Sequence, residues 1–387
     1  QNSVAHYYQR ASSADYLGGD PTRRSLTGTG GYVKVGRKGN AKWNFSETFT
    51  WSSPGFDLND MGYMKETDYL MNETEIMYRQ TDIWKIFRYN AFTLSQKNMW
   101  NYGGTPFSNN ASLRWQSMTM NRYEWDVKET FVWNWLDSRL LRGGPDVRFG
   151  SYFLTSAKFN TDKAKRMMFM LKYEGDHNFE GNRFNTISPS LTFRLGNHVY
   201  LSGQLDYAWN TDEMQYVATT SPLSSSSLTP YYYVMGHMDQ KTYGLTLKLQ
   251  VNVTPDISIQ FYGAPFTSIA KYDDFKLAAD TKSHTFENRF QRIDPDHLTY
   301  ADGVYTIGEG AGQMPFRNPD FRFNEFRSNL VARWEYLPGS TLYFVWEHRM
   351  SNRDNWYSSG WGSNLDRMWG LPATNTFMIK MNYWFNL

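Results

Sequence analysis

Apolar and polar residues alternate with a period of two along much of this chain. The clearest run sets Tyr243, Leu245, Leu247, Leu249, Val251 and Val253 against Thr242, Thr246, Lys248, Gln250 and Asn252. Successive side chains of a strand point to opposite faces, so such a run predicts a strand with one apolar and one polar face. Trp43, Phe45, Phe49 and Trp51 alternate in the same way with Lys42, Asn44, Ser46, Thr48 and Thr50, and Glu47 is the one charge on their apolar side. Phe326, Leu330, Ala332, Trp334 and Tyr336 oppose Arg327, Asn329, Arg333 and Glu335. At the C-terminal end Phe377, Ile379, Met381, Tyr383, Phe385 and Leu387 oppose Met378, Lys380, Asn382, Trp384 and Asn386.

Taken in order, the pattern predicts about sixteen strands. They lie near 2–11, 28–37, 42–51, 67–78, 83–100, 110–120, 123–135, 149–160, 166–176, 184–194, 198–209, 231–253 and 257–270, then after 322, at 341–350 and at 377–387. Tight turns are expected at Arg37–Asn40, Arg79–Asp82, Thr161–Lys165, Leu195–Asn197, Thr254–Asp256 and Leu337–Ser340, where Gly, Pro, Asn and Asp gather. Longer loops are expected at 12–27, 52–66, 136–148, 177–183, 210–230, 271–322 and 351–374. Short and long connections alternate, which is the asymmetry of an outer-membrane barrel. The expected fold is therefore all-β: one transmembrane antiparallel β-barrel of about 16 or more strands over residues 1–387. Phe377, Ile379, Met381, Tyr383, Trp384, Phe385 and Leu387 form its closing signal, and the stretch 271–322 is its longest external loop.

Composition sharpens this picture. Mean hydropathy is −0.64 and no run of 18 apolar residues occurs, so no transmembrane helix is expected. A barrel strand needs only alternate apolar positions, so a hydrophilic average is compatible with spanning. Aromatics make up 18% of the chain, with 15 Trp and 27 Tyr, as two interfacial girdles would require. An aromatic-rich soluble β-sandwich that binds glycans is the alternative. Cysteine is absent, which removes disulfides, thiolate zinc sites and a cysteine nucleophile. A net charge of +2 gives no electrostatic case for a nucleic-acid partner. The chain opens at Gln1 without a signal peptide, and an exported protein needs one, so a mature or truncated chain is expected.

Two blocks go beyond pattern. One is Ser53-Pro54-Gly55-Phe56-Asp57-Leu58-Asn59-Asp60-Met61-Gly62-Tyr63. The other is Asn318-Pro319-Asp320-Phe321 with Arg327-Ser328-Asn329 and Arg333 to Tyr343. With the ending Tyr383-Trp384-Phe385, they resemble the C-terminal barrel region of a poorly characterised Bacteroidota outer-membrane family. Longer members of that family carry an N-terminal domain similar to family 9 carbohydrate-binding modules. The resemblance implies missing upstream residues and brings no catalytic residues.

Several side-chain groups suggest chemistry. Asp273, Asp274, Asp294 and Asp296, with His297, could offer oxygen ligands to calcium, although their spacing matches no EF-hand loop and a solvated acidic loop explains them better. His237 with Asp239, and Glu347 with His348, are possible acid–base pairs without a nucleophile motif. Tyr102, Phe107, Tyr216, Trp356, Tyr357, Trp361 and Trp369 are loop aromatics that could stack on sugars, meet a protein or pack loop on loop. Charges of both signs on the polar faces suggest salt-bridge networks rather than a strongly selective pore. The expectation is a Gram-negative, Bacteroidota-like outer-membrane channel or scaffold, without cofactor and not an enzyme. Its expected partners are membrane lipid and lipopolysaccharide, other outer-membrane or surface lipoprotein subunits, and glycans. Alternatives are the membrane anchor of a carbohydrate-binding protein, or an enzyme sited at the barrel rim.

Overall fold

The computed structural model describes residues 24–58, 62, 64, 66–223, 231–355 and 361–385. The expected strand near 2–11, its pairing with the last strand, and Leu387 lie outside these residues. The chain is all-β. The first strands are β1 (Gly30–Arg37), β2 (Trp43–Ser52), β3 (Tyr69–Gln80), β4 (Phe87–Trp100), β5 (Pro106–Thr119) and β6 (Glu124–Trp133). A small hairpin follows, β7 (Trp135–Asp137) and β8 (Val147–Phe149). Next come β9 (Tyr152–Asn160), β10 (Met167–Asn178), β11 (Arg183–Leu195), β12 (Val199–Thr220), β13 (Tyr232–Asn252) and β14 (Ile257–Ala278). The long insertion holds α1 (Phe286–Arg289), β15 (Phe290–Arg292), β16 (Leu298–Ala301), β17 (Val304–Ile307) and β18 (Met314–Arg317). The chain then runs through β19 (Phe321–Leu337), β20 (Ser340–Asp354), α2 (Trp361–Trp369) and β21 (Ala373–Asn382).

One antiparallel sheet of 16 strands dominates, and its path from β1 to β21 follows chain order, with β6 pairing β9 past the β7–β8 hairpin and β14 pairing β19 past the insertion; β15 joins it by pairing with β14. The expected closure into a barrel is not present. Among the described residues β1 pairs only with β2 and β21 only with β20, and nearly every residue of both strands is exposed. The merged strand at 231–253 is observed as β13. Two others are longer than expected: β12 continues to Thr220 and β14 to Ala278. Cross-strand pairing carries them past the point where alternation fades, with bulges between Asp212 and Gln215 and between Tyr216 and Ala218 absorbing the irregular register. The last strand ends at Asn382 rather than 387, because its partner β20 begins at Ser340 and Thr341 already pairs with Asn382.

Seven short turns lie at one end of the sheet. The other end is less uniform than expected, since β4–β5 and β10–β11 are also joined by short turns over 101–105 and 179–182. There the strands extend into what the sequence suggested as loops.

The sheet buries the opposite face from that of a soluble sheet. On β2, Asn44 is 7% exposed while its neighbour Phe45 is 55% exposed. Ser46 and Ser52 are buried with Asn44; Trp43 and Phe49 are exposed with Phe45. On β4, Thr93 is buried between exposed Phe92 and Leu94, and on β5 Ser112 is buried beside exposed Leu113. Registers Phe92↔Trp115 and Leu94↔Leu113 put these apolar residues on one shared face. Edge strands held by one neighbour should open first, and the long β12–β14 segment last. Amide exchange in β1 and β21 is thus expected to outpace that in β13; protection at the edges equal to that of β13 would mean that both are paired in solution.

Candidate functional site

Two regions concentrate functional side chains: the polar face of the sheet and a folded cap at its long-loop end. The polar face carries charges in mixed-sign groups. Arg114 donates to Asp126 at 2.8 Å through Nε, and Gln116 adds a 3.2 Å bond to the same carboxylate. Lys172 and Glu174 pair at 2.7 Å. Glu325 accepts from Arg327 at 2.8 Å and Arg349 at 2.9 Å. Ser188 and Gln204 both donate to Asp206. Alternation places these residues on the side opposite Leu94 and Phe92, because the register between neighbouring strands is unbroken through this part of the sheet. Glu347 and His348 are adjacent in β20 and therefore face opposite ways. Glu347 sits opposite Asn329, while His348 bonds Asn375 at 2.9 Å and lies against the Phe326 and Trp346 rings. They do not form the suggested acid–base pair.

The cap is built from the long β12, β13 and β14, which rise beyond the other strands. One buried cluster joins Val234, Met238, Tyr272 and Phe275 to Ile307 of β17 and Phe316 of β18. A second joins Met214 and Met235 to Leu141, Val147 and Phe290. Here apolar residues are inside, as in a soluble protein. Arg289 of α1 is fully buried and ties three segments together. It forms an ion pair with Glu180 in the β10–β11 turn and donates to the Arg148 and Ser283 carbonyls at 2.6 and 2.8 Å. Glu180 also accepts from the Gly150 amide at 2.9 Å. Lys276, likewise buried, lies 5.6 and 5.7 Å from the Phe286 and Phe290 rings and 3.4 Å from Asp274.

His237 stands on β13 within this cap. Its Nδ1 is 3.1 Å from Glu213 and its Nε2 is 3.6 Å from Asp239. Burial opposes its charge, but the Glu213 hydrogen bond and charge, helped by Asp239 and Asp273, leave its pKa raised. Burial raises the Asp212 carboxyl, against a backbone hydrogen bond from Met214 that lowers it. The sequence pairing of His237 with Asp239 holds, but the closer partner, Glu213, comes from the neighbouring strand and no spacing rule points to it. Arg289 and Glu180, 109 residues apart, carry no sequence signal either.

Of the suggested calcium ligands, Asp273, Asp274 and Asp294 line one cavity, which Arg292 shares. Asp273 and Asp274 lie in β14, where Asp274 neighbours Lys276 at 3.4 Å and Arg292 at 3.7 Å. Asp294 accepts from the Asp296 amide and lies 3.8 Å from His297. Among the described residues no three acidic or histidine side chains are placed to hold a metal ion. Of the aromatics, Phe107 belongs to β5 and Tyr216 to β12, where the Arg142 guanidinium covers the Tyr216 ring at 4.6 Å. Tyr102 follows the end of β4, its amide donating to Asp68. Trp369 ends α2 and packs on Phe326 at 4.9 Å. Trp356 and Tyr357 lie outside the described residues, and Trp361 begins α2.

The chain belongs to the family described as a domain of unknown function (DUF5916), whose model matches residues 5–387. No curated protein and no solved structure matches it.

Removing Arg289 strands Glu180 in the cap, and breaking such a buried pair costs about 3–5 kcal/mol. Arg289→Met is expected to expose 140–150 and 279–292 to protease, with Glu180→Gln added to it restoring part of the resistance. Cleavage no faster than in the parent protein would refute the latch. The raised His237 pKa stabilises the cap below the unfolded value near 6.5, and that contribution is lost as pH rises through the higher folded value. Cap protease resistance should fall between pH 6 and pH 8, and His237→Gln should flatten that part of the profile. An unchanged profile in the variant would count against it.

Proposed function

We propose that this chain forms the wall of an outer-membrane transmembrane β-barrel and acts as a channel or membrane-embedded scaffold. The observation that carries this reading is the inverted burial: apolar side chains outside, serine, threonine and asparagine inside. In water such a face is a large exposed apolar patch; in hydrocarbon it is the required one. Rings border this face at both ends. On the turn side Trp43 meets Tyr78 at 4.9 Å, Trp125 meets Phe159 at 4.4 Å and Trp334 meets Tyr336 at 5.9 Å. Towards the loops Phe49 meets Trp51 at 6.4 Å, Phe131 meets Trp133 at 5.7 Å and Tyr207 meets Trp209 at 5.2 Å. Trp43 and Trp51 are eight residues apart, about 26 Å along a strand and about 20 Å after tilting by ~40°, close to the ~25 Å apolar band of such barrels.

Closure would bring the β1 and β21 edges together, directly or through further strands. The mixed-sign interior favours a polar lumen of modest selectivity, and the cap offers a surface for other membrane or surface subunits and for glycans. The likeness to Bacteroidota outer-membrane proteins with a carbohydrate-binding-like domain fits the same location. No enzymatic role is assigned: His237 has carboxylate partners, but no hydroxyl bonds to it among the described residues.

The test is Leu94→Arg. Leu94 is exposed midway along β4, so in a water-soluble sheet the change should cost no more than ~0.5 kcal/mol. Facing lipid near mid-depth it should cost about 2–4 kcal/mol and sharply reduce insertion into vesicles, measured by protease protection. Wild-type-like insertion of the variant would overturn the reading. Conductance in planar bilayers then separates channel from scaffold.

A further inference from the structure

We infer that the turn-side rim of the sheet is a binding collar for anionic phospholipid headgroups. The inference rests on the membrane reading and adds a partner to it. Seven short turns lie at this end. Counted with the two terminal residues of each flanking strand, they hold eleven Lys or Arg against four Asp or Glu. That is a net charge of +7, whereas the whole chain carries +2, so everything else sums to −5. Positive charge is therefore concentrated at one end of the molecule, where a bilayer surface would lie.

The local geometry suits a headgroup layer. In the β3–β4 turn Ile83, Trp84 and Ile86 are exposed. Trp84 stacks on Phe87 at 6.0 Å and Phe87 meets Trp115 at 6.2 Å, so the turn continues the apolar outer face. Lys85 lies 5.0 Å over the Trp84 ring. An aromatic wedge with cations at its margin is the arrangement that sits at a membrane interface. Some of the charge is committed within the protein: Lys42 pairs with Asp82 at 2.8 Å, and Lys163 pairs with Glu124. Arg37, Lys38, Lys85, Arg88, Lys165 and Arg166 have no ion-pair partner among the described residues. Zwitterionic lipid offers them no net counter-charge, whereas anionic headgroups do, and basic segments beside a membrane are drawn to such lipid within a Debye length. An acidic polypeptide would satisfy the charges but not the exposed Ile83, Trp84 and Ile86, which extend the apolar outer face into the turn.

The experiment uses the full chain in vesicles mixing phosphatidylcholine with phosphatidylglycerol, one of the two brominated in turn to quench tryptophan. Insertion is first established in pure phosphatidylcholine by protease protection. The expected result is at least twofold enrichment of phosphatidylglycerol around the protein at low salt. It should be lost in 0.5 M NaCl and reduced in the K85Q/R88Q/K165Q/R166Q variant. Equal quenching by the two lipids, in protein that inserts normally, would overturn the inference, leave the membrane reading standing, and turn the basic rim toward an acidic polypeptide. Failure to insert into any vesicle would overturn both.

Discussion

The structure depends on a hydrogen-bonded ladder that inverts the usual choice of buried face. Each strand satisfies its backbone through its neighbours, so the sheet's two faces are free to differ in chemistry. Here the face packed inward carries Asn44, Ser46, Thr93, Ser112 and Ser188, whose polar groups find each other across strands, as Ser95 and Ser112 do at 2.6 Å. The outward face carries Phe45, Leu94, Leu113, Phe169, Leu205 and Phe344. Burying apolar area is worth about 25 cal/mol per Å², so leaving this face in water forgoes the main driving force for folding. The membrane location proposed above would restore it. The turns, the rings at both ends of the band and the polar interior all follow from that single inversion.

The cap obeys the opposite rule, and the contrast is informative. Where β12, β13 and β14 pass beyond the ringed band, Met214, Met235 and Tyr272 turn into buried apolar clusters. On the proposed membrane reading, a chain segment leaving hydrocarbon for water must build a core of its own. It does so by recruiting the 279–320 insertion and the β7–β8 hairpin. The Arg289–Glu180 pair then fixes α1 against turns from the other strands, a position in which the fully buried guanidinium depends on the largely buried carboxylate for its counter-charge.

Much of the sheet was legible in the sequence, because period-two alternation and short turns are local signals. Tyr243 to Val253 reads as a strand without any partner in view. The same logic fails where partners decide. Asp212 to Thr220 has weak alternation, and its strand conformation comes from pairing with β13 through two bulges. The insertion at 271–322 reads as an acidic loop, since its four- and three-residue strands are too short to display a period. Candidate sites were legible only where residues are close in sequence. His237 and Asp239 are two apart, but Glu213 and Glu180 reach their partners through register and loop packing. Barrel closure was the further step drawn from the closing strand, and the described sheet leaves that strand as an edge.

The exceptions on the outward face test the inversion most severely. Glu47 lies midway between Trp43 and Trp51, and Glu129 midway between Trp125 and Trp133, each among apolar neighbours. Neither is left alone. Asn72 donates to Glu47 from β3, and Thr155 donates to Glu129 at 2.8 Å from β9. Both bonds run across a strand pair: Thr155 stands directly opposite Glu129, and Asn72 reaches Glu47 diagonally, from the position opposite Phe49. Around Glu47 the outward residues Thr74, Gln96, Asn98 and Asn109 extend a polar strip over β3, β4 and β5, with Thr74 opposite Gln96 and Asn98 opposite Asn109. A polar group in this band has no water to turn to if hydrocarbon surrounds it, so its partner must be supplied by the neighbouring strand. The polar exceptions thus occur as cross-strand sets rather than singly, as that constraint requires, and the constraint that inverts the sheet also decides where it can be broken.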